Sequence, residues 1–134
     1  MEARNNRLPN TPIIAIVDDD DAMREALSDL LQVLSLSCRT FASAEAFLGE
    51  YAPARFGCLI TDLRMPGISG LELQRKLTAM GARLPVIVVT SCTDSHARTH
   101  AMENGAFAFL IKPVRDQDLI RHVKAALGQS ISDE

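Results

Sequence analysis

The chain has 134 residues, 47% of them apolar, which is the size of one ordinary domain with enough apolar side chains for a core. Its net charge of −3 argues against a generic grip on nucleic acid, no apolar run approaches the ~20 residues needed to span a bilayer, and the polar start MEARNNRLPN lacks the apolar stretch of a signal peptide. Cys38, Cys58 and Cys92 are odd in number and far apart, which argues against a disulfide framework or a zinc site and for three small buried thiols in a reducing, cytoplasmic setting.

In chain order, residues 1–11 read as a flexible, solvated tail. Ile13–Val17 is a continuous apolar run of strand length, followed at once by Asp18, Asp19, Asp20 and Asp21. Met23, Leu27, Leu30, Leu31 and Leu34 then recur at helical spacing. Leu36–Phe41 carries Arg39 and Thr40 and reads as an edge strand. A short helix is predicted from Ala44 to Tyr51, with Ser43 as N-cap. Cys58–Ile60 is the third strand. Leu73, Leu77 and Met80 stripe a helix closed by Gly81. Val86–Val89 is the fourth strand, and Asp94 to Asn104 a helix with a thin stripe of Ala97, Ala101 and Met102, followed by Gly105. Phe107–Ile111 is the fifth strand. Leu119, Ile120, Val123 and Leu127 mark a last helix ending at Gly128, with 129–134 as a tail or the start of a linker. Strand and helix alternate five times over one domain, 12–128. This implies an α/β fold: a doubly wound, five-stranded parallel sheet with helices on both faces.

In such a sheet, ligands bind beyond the carboxyl ends of the strands, where strand order reverses. The first strand ends in Asp18 and Asp19, the third in Asp62, the fourth in Thr90 and Ser91, the fifth in Lys112. In the order 2-1-3-4-5, one of the common orders, the reversal lies between strands one and three, so Asp18, Asp19 and Asp62 converge there. Three carboxylates in one crevice repel unless a cation sits among them. Hard oxygens that surround an ion incompletely suit Mg²⁺. A lone lysine and a hydroxyl on the same rim suit a phosphoryl group. Asp18 and Asp19 therefore read as a metal seat, and Asp20 or Asp21 as the cap of the following helix. The alternative makes all four acids an overbuilt cap.

VDDDDAMREAL, ITDLRMPGISGLEL, VIVVTS and AFLIKP stand in the order and spacing of the receiver domain of response regulators in two-component signalling. The chain resembles this family from Ile13 to about Leu127, and RTFASAEAFL resembles its FixJ/NarL-type branch in particular. The resemblance implies a CheY-like, flavodoxin-like sheet in which Asp62 is the phosphoacceptor. It implies Mg²⁺ held directly by Asp19, Asp62 and the backbone carbonyl of Arg64, and by Asp18 through water. Thr90 would bind the phosphoryl group and Lys112 would pair with it. Phe109, three before Lys112, takes the place of the switch aromatic that works with Thr90, and the Lys112–Pro113 bond is expected to be cis.

The implied partner is a sensor histidine kinase, and the domain is a signalling module rather than an enzyme. Its output is expected through the fourth helix, fifth strand and fifth helix, as a homodimer on phosphorylation or through a transcriptional effector. The chain ends just after the fifth helix, so it reads as a stand-alone receiver or as the N-terminal part of a longer regulator. Any DNA contact would belong to a C-terminal effector domain rather than to this chain, and no membrane is involved. Two other classes compete. A phosphatase of the haloacid dehalogenase type wants a second Asp two after the nucleophile, where Arg64 stands. A flavodoxin-like carrier wants Ser, Thr and Gly after strand one, where acids stand. Arg64 either shields the phosphoryl group or binds it. Cys92 reads as filler, His96 and His100 as a solvated face, and Met65, Pro66, Gly67 and Gly70 as loop geometry.

Overall fold

The computed structural model describes residues 13–132, with side chains through 128. The tail expected at 1–11 and residues 133–134 lie outside the described residues. Five strands, β1 (Ile13–Val17), β2 (Cys38–Phe41), β3 (Phe56–Thr61), β4 (Val86–Thr90) and β5 (Ala108–Ile111), alternate with α1 (Asp21–Val33), α2 (Ala44–Glu50), α3 (Gly70–Ala79), α4 (Ser95–Glu103) and α5 (Asp116–Ser132). The strands form one parallel sheet in the order β2-β1-β3-β4-β5. The expected order holds, and the mixed strand, β2, is an edge.

Continuous apolar strands follow from burial on both faces. Ile14, Ile16, Cys58, Ile60, Ile87 and Val89 point to the face covered by α1 and α5. Ala15, Val17, Leu59, Val86 and Val88 point to the other, against α2, α3 and α4. Phe41, Phe47 and Phe56 fill the β2 side of that second core, with Phe47 5.5 Å from Phe41 and 5.3 Å from Phe56 between ring centres. Among the described residues no helix is long and apolar enough to cross a membrane.

Short polar residues start the helices. Asp20, Ser43, Ser69 and Asp94 accept backbone N–H bonds at the N-caps of α1 to α4. The acid that caps α1 is thus Asp20, not Asp21. Gly81 and Gly105, at φ +75° and +90°, end α3 and α4 as expected. The last helix departs from expectation: α5 passes through Gly128 to Ser132. Gly128 is exposed and has no left-handed φ, so it sits in the helix at about 1 kcal/mol relative to Ala and does not end it. The cysteines differ too: Cys58 and Cys92 are buried, but Cys38 is only half-buried.

Candidate functional site

The carboxyl ends of β1, β3, β4 and β5 bring together Asp18, Asp62, Thr90 and Lys112. Asp18 continues β1: its N–H donates to the Phe41 carbonyl at 3.2 Å, so its side chain turns down onto the sheet edge and is 3% exposed. Asp62 continues β3 in the same way, donating to the Val17 carbonyl at 3.2 Å, and is 7% exposed. Lys112 follows β5, its N–H bonded to the Thr90 carbonyl at 2.8 Å. The next peptide bond, Lys112–Pro113, is cis as expected. From there the Lys112 ammonium reaches both acids, 2.9 Å from Asp18 Oδ2 and 2.9 Å from Asp62 Oδ2.

The remaining carboxylate oxygens are also held. Asp18 Oδ1 accepts the Asp20 N–H at 3.0 Å, and Asp62 Oδ1 accepts the Arg64 N–H at 3.2 Å. Burial by itself pushes the Asp62 carboxyl upward. The bonds from Lys112, from the Thr90 hydroxyl and from the Arg64 amide outweigh it, so Asp62 lies below the ordinary carboxylate range. Burial likewise presses the Lys112 ammonium downward, but Asp62 and Asp18 carry it above the ordinary lysine value. Both directions say that the pair is charged at neutral pH. Asp62 is therefore a buried, ionised carboxylate, oriented and within reach of a hydroxyl and an ammonium.

Asp18, Asp62, Thr90 and Lys112 meet as the sequence predicts. Asp19 does not close on them. It is exposed, and no described residue pairs with its carboxylate. Among the described residues no group of three His, Cys, Asp or Glu forms a potential metal site. The ammonium explains the arrangement, since it bridges the two inner acids and offsets one of their two charges, while the third acid is left to water. The donor set still suits Mg²⁺. Two carboxylates lie close enough to share one cation, and the third acid is adjacent in the chain with no partner among the described residues. Phe109 lies in the core with Val88, Ala101 and Ala106, 9% exposed, under the Arg98 guanidinium at 5.9 Å from the ring centre. Arg64 turns its guanidinium to Cys92, 3.3 Å from Sγ, and the Cys92 N–H donates to the Thr90 hydroxyl at 3.2 Å. His96 and His100 are exposed, as expected for a solvated face.

Three contributors escaped the sequence reading. A Cβ on Gly70 would stand 2.2 Å from the Asp62 carbonyl oxygen, so only glycine lets α3 start against the Asp62 backbone; the sequence suggested loop geometry there. Glu45 on α2 accepts the Ile68 N–H at 3.3 Å and braces the loop after Asp62; at 23 residues' distance it left no signal. Arg24 donates to the Asp18 carbonyl at 2.6 Å. Its signal was present, as the first cation after four acids.

The description "response regulator receiver domain" matches residues 14–124. The transcriptional regulatory protein FixJ of Azorhizobium caulinodans is 46% identical over 123 residues, 92% of this chain and 58% of that protein. The response regulator protein TmoT of Ectopseudomonas mendocina is 43% identical over 115 residues, 86% of this chain and 52% of that protein. The chain thus spans little more than half the length of these relatives. A crystal structure of FixJ-N superposes with a TM-score of 0.81 at 37% identity, over 87% of this chain and 94% of that one. With its sheet order, its acids and its lysine in register, the chain belongs to the response regulator receiver domain family of two-component signalling.

Proposed function

We propose that the domain accepts a phosphoryl group on Asp62 from the phosphohistidine of a sensor histidine kinase. The observation that carries this reading is the Lys112 ammonium, 2.9 Å from both Asp62 and Asp18 at the end of the sheet. Asp62, ionised at neutral pH, attacks phosphorus; the P–N bond to the histidine breaks, and the imidazole takes a proton from solvent. Lys112 and the Thr90 hydroxyl meet the oxygens on which charge spreads. Asp19, Asp62 and the Arg64 carbonyl, with Asp18 behind them, would hold Mg²⁺, which would supply further positive charge to those oxygens. Water later cleaves the acyl phosphate and returns the carboxylate. The domain is consumed and reset rather than turning over, so it is a signalling module that assists its own chemistry.

An apolar groove of about 370 Å³ beside Lys112, lined by Met23, Leu27, Leu30, Pro113 and Val114, suits the docking of the kinase. The output runs through α4, β5 and α5 to a homodimer or an effector. The FixJ relative, named as a transcriptional regulatory protein, favours a transcriptional effector for this domain, which itself leaves nucleic acid alone and works in the cytoplasm. The test is acetyl phosphate with Mg²⁺, read by intact mass. The parent gains about 80 Da per phosphoryl group and Asp62→Asn gains nothing. Equal labelling of both proteins refutes the assignment.

A further inference from the structure

Four consecutive acids follow β1, and the first cation after them is Arg24, one turn into α1. Its side chain is 17% exposed and folds back over the turn that connects β1 to α1. Nη1 donates to the Asp18 carbonyl oxygen at 2.6 Å, and Nη2 pairs with the Asp21 carboxylate. The guanidinium thus ties the end of the strand to the start of the helix. Its backbone N–H also makes the first helical bond, to the Asp20 carbonyl at 3.0 Å.

The contact with the Asp18 carbonyl matters because the peptide is planar. That oxygen and the Asp19 N–H belong to one rigid unit. Holding the oxygen fixes the peptide plane before Asp19, and the Asp20 N–H, bonded to Asp18 Oδ1 at 3.0 Å, fixes the one after it; together they set the Asp19 backbone and so direct its Cα–Cβ bond. No described residue pairs with the exposed Asp19 carboxylate itself, whereas Asp18 is held by the Phe41 carbonyl, the Asp20 N–H and Lys112. We propose that Arg24 is a positioning residue of the metal seat: through the Asp18 carbonyl it presents the Asp19 carboxylate to the divalent cation. This rests on the reading of Asp19 and Asp62 as cation ligands.

The two physical roles open to an arginine here predict opposite signs. As a plain charge near the acids, Arg24 repels a divalent cation, and its removal tightens binding severalfold. As a brace, it preorganises the acids, and its loss weakens binding by about 10- to 100-fold, as for other groups that orient metal ligands from behind. Lysine keeps the charge but has no planar fork to span the carbonyl and Asp21 together, so Arg24→Lys separates the roles further.

The experiment titrates Mg²⁺ alone by calorimetry into the parent, Arg24→Lys, Arg24→Gln and Asp19→Asn. Urea midpoints establish that each is folded, and amide exchange at Asp19 and Asp20 is measured without metal. The proposal expects both Arg24 variants to bind Mg²⁺ at least tenfold more weakly, with the two amides exchanging faster than in the parent. Tighter or unchanged binding in Arg24→Gln overturns it, and so does parental affinity in Arg24→Lys. Asp19→Asn separates the two layers. If it binds as well as the parent, the reading of the seat itself fails. If it loses affinity while the Arg24 variants do not, only the proposal on Arg24 fails.

Discussion

Helices α1 and α4 cover opposite faces of the same sheet and are held by different forces. α1 buries Leu27 and Leu31, 6% and 0% exposed, among Ile14, Ile16 and Ile60. Each such leucine is worth about 1.5–3 kcal/mol of burial. α4 buries one side chain fully, Ala101, with Ala97 partly covered. Its hold is directional instead. The Gln74 amide, 2% exposed on α3, donates to the Ala101 carbonyl at 3.1 Å and to the Asn104 carbonyl at 3.5 Å. The Gln74 Oε1 atom is buried without a partner, which costs about 1–3 kcal/mol. Apolar burial is insensitive to direction and scales with area, so α1 stays where it is. A helix held by alanine and a few hydrogen bonds can exchange one arrangement for another at small net cost. The acids and Arg24 sit at the firm helix; Thr90 and Cys92 lead into the soft one. The proposed seat for a cation would gain from fixed geometry, and the proposed output from movement.

The largest expected effect tests this contrast by truncation. Leu31→Ala should lower folding stability by about 2–5 kcal/mol, through lost burial and a cavity. Ala101→Gly should lower it by about 1 kcal/mol, mostly helix propensity. Chemical denaturation measures both, and equal losses would break the comparison.

Thiol labelling sharpens it next. Burial in β3 pushes the Cys58 thiol up to about 12, so the reactive thiolate is scarce in the folded protein at pH 8. Cys58 should label only through global opening. Cys92, just ahead of α4, should label at least tenfold faster through local opening. The sign with pH also follows. A group whose folded pKa is raised contributes its full stability below its unfolded value of about 8.5, and that contribution is lost as pH rises toward about 12. Stability should therefore fall through that window more steeply in the parent than in Cys58→Ala.

A third, severalfold effect concerns movement. Beryllofluoride with Mg²⁺ should change amide exchange in α4 several-fold and in α1 by less than twofold. Thr90→Ala should abolish the α4 response. Phe109 already packs inward under Arg98, so the response should appear in the helix rather than as burial of that ring. A matching response in α1 would remove the distinction between the two helices.

The smallest effects concern the acids at the start of α1. Asp20→Ala should cost about 1 kcal/mol as a lost cap, and Asp20→Asn a few tenths. Asp21→Asn should leave stability almost unchanged, because its pair with Arg24 is solvent-exposed on the Asp21 side. Thermal melts of the three variants check the order; a larger loss at Asp21 would reverse the assignment of the cap.

Much of the site was legible because its residues sit where strands end. An apolar run that stops at Asp18, Asp62, Thr90 or Lys112 places each at the same edge of a parallel sheet, whatever the details of packing. The cap at Ser43, and the glycines that end α3 and α4, were legible for a similar reason: a short oxygen or a left-handed φ acts within a few residues. Gly128 misled because glycine is only a weak breaker, and α5 simply continues through it. Four adjacent acids narrowed the cap of α1 to Asp20 or Asp21, and the backbone at Asp20, φ −89° and ψ 112°, decided between them.

What the sequence determined by itself was the order of elements, the two buried faces of the sheet and the inner residues of the site, since these depend on period and on strand ends alone. Only the tertiary structure decided that Lys112 bridges Asp18 and Asp62, that Asp19 stays in water, that Gln74 holds α4, and that Gly70 and Glu45 brace the Asp62 loop. Those contacts join residues 23 or more apart in the chain, or set a Cβ at Gly70 against the Asp62 carbonyl across a loop, and they hold or fail within an ångström. Hydrophobic periodicity tolerates errors of that size, and hydrogen bonds do not.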